Sequence, residues 1–383
     1  MILKKYIKSS IKNIYINNKI KNRVAIDNSN PRFININNTS YLNFSSNDYL
    51  GLSHDKNIIN SFIKGIKYYG LSSCSSTHIT GYSRSHKLLE NELSKWLGYE
   101  SAVLFSSGFS ANQSVITTLF NKNDQILVDK LSHASIIEAA YKSKAKFNRF
   151  LHNNLYNLRK IYNKKYNKTL IVTEGIFSMD GDSAPLTDIY KLSKELGSLL
   201  LVDDAHGIGI IGDKGRGSCY KANILPDILI ITFGKAFGIG GAAVLSSINI
   251  REFLLQFSKK IIYSTAMPSA QAYAILQSLK FIKKGDHLRQ KLNKNIKYFK
   301  LGIKNSSFKL LKSNSAIQPI IIGKNHNTLH LSNYLKSNKL WIKAIRPPTV
   351  PPGTSRLRIT INSMHKRKDL DYLLDKLFEY RYV

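Results

Sequence analysis

The sequence predicts an α/β protein: a large domain on a mostly parallel sheet, followed by a smaller C-terminal α+β domain. Two observations predict it. Between about residues 85 and 275, short apolar runs alternate with stretches of helical spacing. Those runs are apolar almost without interruption, as strands covered by helices on both faces require. Beyond about residue 276 the alternation gives way to longer helices and fewer strands. The expected division is residues 1–45 as a helix and short strands, 46–275 as the large domain and 276–383 as the smaller one.

Each element has a local reason. Ile2, Leu3, Tyr6, Ile7, Ile11 and Ile14 recur at helical spacing, so the chain should open with an amphipathic helix lying against the body. PRFININNTSYLNF contains short strands. HKLLENELSKWLG is helical and closes on Gly98, a residue that tolerates the left-handed backbone of a helix end. SAVLF is a strand, and SSGFSANQSVITTLF is a loop opening a helix. DQILVD, TLIVTEG, SLLLVDDAHG, DILIITFGK and GGAAVLS are further strands bounded by Gly, Asp and Ser. A Lys-rich helix then leads to AIQPIIIG, WIKAIRPPTVPPG and SRLRITI, and KDLDYLLDKLFEY closes the chain as a helix.

Composition narrows the function. At 383 residues the chain can bury a large core and form two domains. Its net charge of +33 is spread through Lys-rich and Asn-rich loops without a dense basic run or a nucleic-acid signature. Compositional drift explains that charge better than a nucleic-acid partner does. A basic surface would also attract a polyanionic substrate such as a coenzyme A thioester. No apolar run approaches the roughly 18 residues of a membrane span, so no membrane partner is expected. The N-terminus lacks an apolar core followed by a small-residue cleavage site, so the cytoplasm is the expected location. Cys74 and Cys219 form neither a disulfide framework nor a metal motif, and no metal is expected.

The polar residues collect where ligands of open α/β sheets bind, at the carboxyl ends of the strands. Ser107, Gly108 and Phe109 follow a strand and open a helix, whose free N–H groups favour a phosphate. LLLVDDAHG ends in Asp203, Asp204 and His206. A carboxylate at a buried strand end needs a partner, and a protonated pyridine nitrogen, a metal ion or structural hydrogen bonds would each serve. Asp204 reads as a solvated or helix-capping neighbour. Lys235 sits among small residues in ITFGKAFG, just past an apolar strand. Desolvation there would lower its pKa and make it a Schiff-base nucleophile. With His133 in LSHAS and Thr232 beside the lysine, five sites in order along the strands argue against coincidence.

YLNFSSNDYLGLS, GYSRSHKLLE, SSGFSANQ, LSHASIIEAA, TEGIFSMDGDSAPL, VDDAHGIGIIGDKGRGS, TFGKAFGIGGAAV, YSTAMP and AIRPPTVPPGTSRLRIT, spanning about residues 41 to 362, carry a resemblance over most of the chain. They resemble pyridoxal 5′-phosphate (PLP) enzymes of the aspartate-aminotransferase fold, fold type I, and most of all the α-oxoamine synthase family. RPPTVPPGTSRLRIT and SAIQP are most similar to the member that condenses L-alanine with a pimeloyl thioester. A member using glycine with acetyl- or succinyl-CoA is the alternative. A basic nucleic-acid-binding protein that kept the fold is an alternative of another class.

The resemblance implies that Lys235 holds PLP and moves the substrate's α-proton. It implies that Asp203 pairs with the ring nitrogen, His206 with the ring hydroxyl, and that His133 stacks on the ring. Ser178, read at a strand end in EGIFSMDG, becomes a further cofactor contact. Gly108, Phe109 and Thr232 are implied at the phosphate. Thr265 is implied at the phosphate of a neighbouring subunit's cofactor, hence a homodimer with shared active sites. Arg358, Thr349 and Asn47 are implied substrate contacts. An ungapped match sets Lys21 at the family's N-terminal arginine, with Arg23 two residues on. An acyl carrier protein is a further partner that the resemblance allows.

Overall fold

Helix α1 (Ile2–Ile16) begins the computed structural model, which describes residues 2–16, 20 and 22–380. Its spacing makes it a helix, but none of its residues is buried: Ile2 is 88% exposed and Ile14 44%. The expected packing of its apolar stripe against the body is therefore absent, and the helix rests on local propensity. Three short strands follow: β1 (Asn28–Ser29), β2 (Phe33–Ile36) and β3 (Thr39–Asn43).

One unit comprises residues 47–178 and 182–290. Its seven strands are β4 (Ser101–Phe105), β5 (Gln125–Asp129), β6 (Lys146–Phe150), β7 (Thr169–Glu174), β8 (Leu199–Asp203), β9 (Ile228–Thr232) and β10 (Ala242–Ser246). They lie in the order β4-β10-β9-β8-β7-β5-β6. Only β10 runs against its neighbours, β4 and β9; the other pairs are parallel. Every residue of β5, β7, β9 and β10 is buried, which accounts for their unbroken apolar character. Strand β6 escapes the sequence reading because it is a half-exposed edge: KFNRF offers no apolar run.

Helices α2 (Lys56–Tyr69), α3 (Arg84–Leu97), α4 (Gly108–Leu119) and α5 (Ala134–Lys142) belong to this unit. Val115 and Ile116 of α4 share one apolar core with Ile126, Val128, Leu170, Val172, Leu201, Ile230 and Val244. Each such side chain contributes about 1.5–3 kcal/mol on burial, so this core fixes the sheet that carries the polar strand ends.

The other unit comprises the described residues up to 46, 179–181 and 291–380. Strands β11 (Lys309–Leu310), β12 (Ile317–Gly323), β13 (Leu340–Trp341), β14 (Ala344–Ile345) and β15 (Ser355–Thr360) follow in chain order. They form one sheet in the order β11-β12-β15-β14, and β13 completes a second, β1-β2-β3-β13.

These units differ from the division expected from the sequence. Residues 1–45 are not a separate piece, because β13 pairs in parallel with β3, Leu340 opposite Leu42. The later boundary lies at 290 rather than 275 because the helix Ser269–Lys284 belongs with α2. A Cβ on Gly65 of α2 would lie 3.0 Å from the Ala270 backbone. Neither contact has a signal in local spacing. Among the described residues, no helix is long and apolar enough to cross a membrane.

Candidate active site

Strands β7 and β8 end on acids in register: Glu174 stands opposite Asp203. Asp203 is 6% exposed. Its Oδ2 accepts a hydrogen bond from Asn112 Nδ2 at 2.7 Å, and its Oδ1 accepts one from the Ala205 N–H at 3.1 Å. Asn112 also donates to Ser135 Oγ at 3.1 Å, so a single amide ties α4, α5 and the end of β8 together. Two amide donors orient this carboxylate but leave its charge to be balanced, which suits a cationic ring nitrogen.

Lys235 follows β9 and is half-buried. Its Nζ donates to Thr232 Oγ1 at 3.5 Å. The turn is closed by the Gly238 N–H donating to Lys235 O at 2.9 Å. Gly238 has φ +70°, and a Cβ there would meet Ser53 N at 2.3 Å, so the lysine's turn requires glycine.

His133 caps α5, its Nδ1 accepting from the Ser135 N–H at 3.2 Å. Desolvation pulls its pKa below the ordinary value against the pull of Asp203, and Lys235 pushes it further down. Its imidazole is therefore neutral at pH 7, which suits stacking better than a charged ring would. The charges of Asp203 and Lys235 act in opposite senses on both His133 and Glu174.

His206 is buried, with Nδ1 2.6 Å from Tyr49 Oη. The same hydroxyl donates to Asn47 Oδ1 at 3.3 Å. Tyr49 thus links two residues that the sequence assigned separately.

The first turn of α4 closes the other side. Ser107 caps it, its Oγ accepting from the Ser110 N–H at 3.1 Å. A Cβ on Gly108 would lie 2.7 Å from Thr232 Cγ2. The N–H groups of Gly108 and Phe109 and the Thr232 hydroxyl therefore share one corner, a donor set fitted to a phosphate.

Of the two readings of Asp204, the solvated one fails and the helix-capping one holds: it is fully buried and accepts from the Ser218 N–H at 2.6 Å, in the first turn of the helix Gly217–Lys221. Burial raises its pKa to about 7. The reading of Ser178 needs correction: it is not at a strand end. β7 stops at Glu174, and Ser178 lies in a turn closed by the Ile176–Ser183 bridge.

That turn is held by His152, whose Nδ1 and Nε2 lie 2.8 Å from Asp129 Oδ1 and Asp182 Oδ2. Burial disfavours the charged ring, but the two aspartates outweigh it and raise its pKa to about 10. A raised folded-state pKa gives stability that is full below the unfolded value, about 6.5. That stability falls through the interval above it and is lost as pH passes about 10. His152→Ala is expected to flatten this part of the curve. Melting temperatures between pH 6 and 10.5 check it: the wild type should lose more stability across that range than the variant.

Thr265 is exposed in the segment before the helix Ser269–Lys284, on the wall of a cavity of about 220 Å³ that includes Tyr82, Glu90 and Arg251. In the smaller unit, Arg358 is buried on β15 and its guanidinium donates to Thr360 Oγ1 at 3.0 Å. Thr349 is exposed, its N–H donating to Arg346 O at 3.0 Å. Arg23 is exposed, and Lys21 lies outside the described residues. Among the described residues, no three His, Cys, Asp or Glu side chains group to hold a metal ion.

Asn112, Glu174 and Tyr49 were missed in the sequence. Two had a signal: Asn is disfavoured inside helices, and a Glu ending a wholly apolar strand needs a reason. Tyr49 had none, since its partner His206 is remote in sequence.

The profile described as aminotransferase class I and II matches residues 39–377. A curated relative, the 8-amino-7-oxononanoate synthase of Buchnera aphidicola subsp. Baizongia pistaciae, is 51% identical over 367 residues, 95% of each chain. That of Photorhabdus laumondii subsp. laumondii is 50% identical over 325 residues, 85% of each chain. Among solved structures, the 8-amino-7-oxononanoate synthase of Francisella tularensis superposes with a TM-score of 0.78 at 32% identity, covering 88% of this chain and 97% of that one. A structure of SPT with PLP internal aldimine superposes with a TM-score of 0.91 at 26% identity, covering 98% and 97%.

Proposed function

We propose that this chain, which belongs to the class I and II aminotransferase family and within it to the 8-amino-7-oxononanoate synthases, condenses L-alanine with a pimeloyl thioester. It is a PLP-dependent acyl-transferring enzyme of biotin biosynthesis. The products are 8-amino-7-oxononanoate, carbon dioxide and the free thiol. The observation that carries the reading is a buried Asp203 carboxylate oriented by Asn112 and a half-buried Lys235 reaching Thr232, whose side chain packs against Gly108 at the start of α4.

The residues present fit PLP: an amine, a carboxylate without a fixed counter-charge of its own design, and a phosphate corner at Gly108, Phe109 and Thr232. When bound, PLP supplies an electron sink for the negative charge that develops at the substrate's α-carbon. Lys235 Nζ holds the cofactor, then takes the α-proton and later returns it. Asp203, oriented by Asn112 and Ala205, keeps the ring nitrogen protonated. His206, steadied by Tyr49, would meet the ring hydroxyl, and neutral His133 would help hold the ring. Ser178 is a further cofactor contact.

The substrate assignments rest on the resemblance. Arg358 pairs with the alanine carboxylate, where a planar fork suits a carboxylate. Thr349 and Asn47 touch substrate, and Lys21 or Arg23 meets the acyl end. Thr265 serves the cofactor phosphate of a second subunit, so the working form is a homodimer with shared sites. The cytoplasm suits a chain whose Cys74 and Cys219 are both free thiols.

A thiol-release assay tests the reading. Alanine with pimeloyl-CoA or with a pimeloyl-loaded carrier protein should release thiol, and the faster of the two identifies the carrier. Glycine with acetyl- or succinyl-CoA should release it at least about tenfold more slowly, as a pocket built for another side chain and acyl group predicts. Preference for glycine and a short acyl-CoA would overturn the assignment.

A further inference from the structure

The reaction needs one buried carboxylate for the cofactor ring nitrogen, yet two end adjacent strands. Glu174 and Asp203 face each other across the parallel pair β7 and β8. Glu174 is 2% exposed. Its Oε1 accepts the backbone N–H of His133, the residue that caps α5.

We infer that Glu174 is a positioning residue for this reaction and works in its neutral, protonated form, tethering His133 without a second negative charge beside Asp203. This deepens the proposed function and rests on it. Two carboxylates in adjacent buried positions cannot both ionise cheaply, and a single ring cation balances only one of them.

The local partners differ. Asp203 accepts hydrogen bonds from Asn112 and from the Ala205 N–H, one at each oxygen. Glu174 faces Asp203 on β8, Asp129 on β5, His133 at the start of α5 and Lys235 beyond β9. Burial first, and then the charge of Asp203, push its pKa well above the carboxylate range, and Asp129 adds to them. The His133 N–H and Lys235 oppose that push and do not overcome it. A neutral acid keeps its carbonyl oxygen as acceptor for the His133 N–H. The tether sets where the imidazole sits, because residue 133 is the fixed end of α5.

The test compares Glu174→Gln and Glu174→Ala as PLP-loaded full-length proteins. Glutamine keeps the acceptor oxygen and the neutral charge; alanine keeps neither the oxygen nor the reach. Readouts are the PLP dissociation constant, the pH titration of the cofactor's absorption band, its circular dichroism, and kcat/KM by thiol release. Glu174→Gln should match the wild type in band position and titration, with kcat/KM within about threefold. Glu174→Ala should lose about 10–100-fold in kcat/KM, the scale of removing a group that orients an active-site imidazole, and its cofactor dichroism should weaken. If Gln loses as much as Ala, the charge matters and the inference fails. If both match the wild type, Glu174 positions nothing and the inference also fails. Should the alanine variant not fold, the glutamine variant decides alone: an altered band titration or a kcat/KM loss beyond about tenfold overturns the inference, and an unchanged profile supports it. A wild type that neither binds PLP nor releases thiol would instead overturn the functional reading itself.

Discussion

Lys235→Ala is expected to fold, to bind PLP without a covalent link and to lose turnover by about 10³-fold or more, because nucleophile and proton carrier vanish together. The side chain is half-buried beyond the end of β9, outside the apolar core, so its loss should leave thermal stability nearly unchanged. Its hydrogen bond to Thr232 Oγ1, at 3.5 Å, is a long contact that contributes little. Lys235→Arg should fail in the same way, since a guanidinium does not give up its proton in a protein. Thiol release, the absorption spectrum and the melting temperature, measured on the same preparation, check it. A variant that stays covalently loaded or turns over near the wild-type rate would contradict the role.

Asp203→Asn is expected to lose about 10²–10³-fold in kcat, the scale of removing one preorganised electrostatic partner from a desolvated site. Asparagine preserves the shape and keeps one oxygen, enough for either Asn112 or the Ala205 N–H; the other donor then faces its NH2 group. What disappears is the negative charge that holds a proton on the ring nitrogen. Affinity for PLP should fall as well, because a neutral amide makes no ion pair with a pyridinium. The fold should survive, since the sheet is held by the apolar core rather than by the carboxylate's two hydrogen bonds. The measurement is kcat beside a PLP titration; unchanged values for both would remove Asp203 from the mechanism. The neighbouring acid sharpens the comparison: Glu174 loses a negative neighbour, so its proton comes off more easily in the Asp203→Asn protein.

The sheet was legible because its strands are buried on both faces, and burial writes itself as unbroken apolar runs such as those of β7 and β9. Edge strand β6 carries no such mark, and it was invisible. Lys235, Asp203 and Gly108 drew attention only together, as ordered polar residues at successive strand ends that resemble a known family, since each alone has an ordinary structural reading. Asn112 and Glu174 are polar too, but the meaning of each comes from a partner on another element, Asp203 and His133 respectively. The unit boundary was illegible because pairing of β3 with β13 joins residues about three hundred positions apart. Helix α1 marks the opposite limit: periodicity predicted the helix but could not say what, if anything, covers its apolar stripe.

The central claim is that one amine holds the cofactor. In a chain with 44 lysines, indiscriminate attachment of PLP to surface amines is the rival explanation. Borohydride treatment of the PLP-loaded protein, followed by peptide mapping, separates the two. A single reduced label on Lys235 is the predicted result. A label on another lysine, or one scattered over many, would contradict the account.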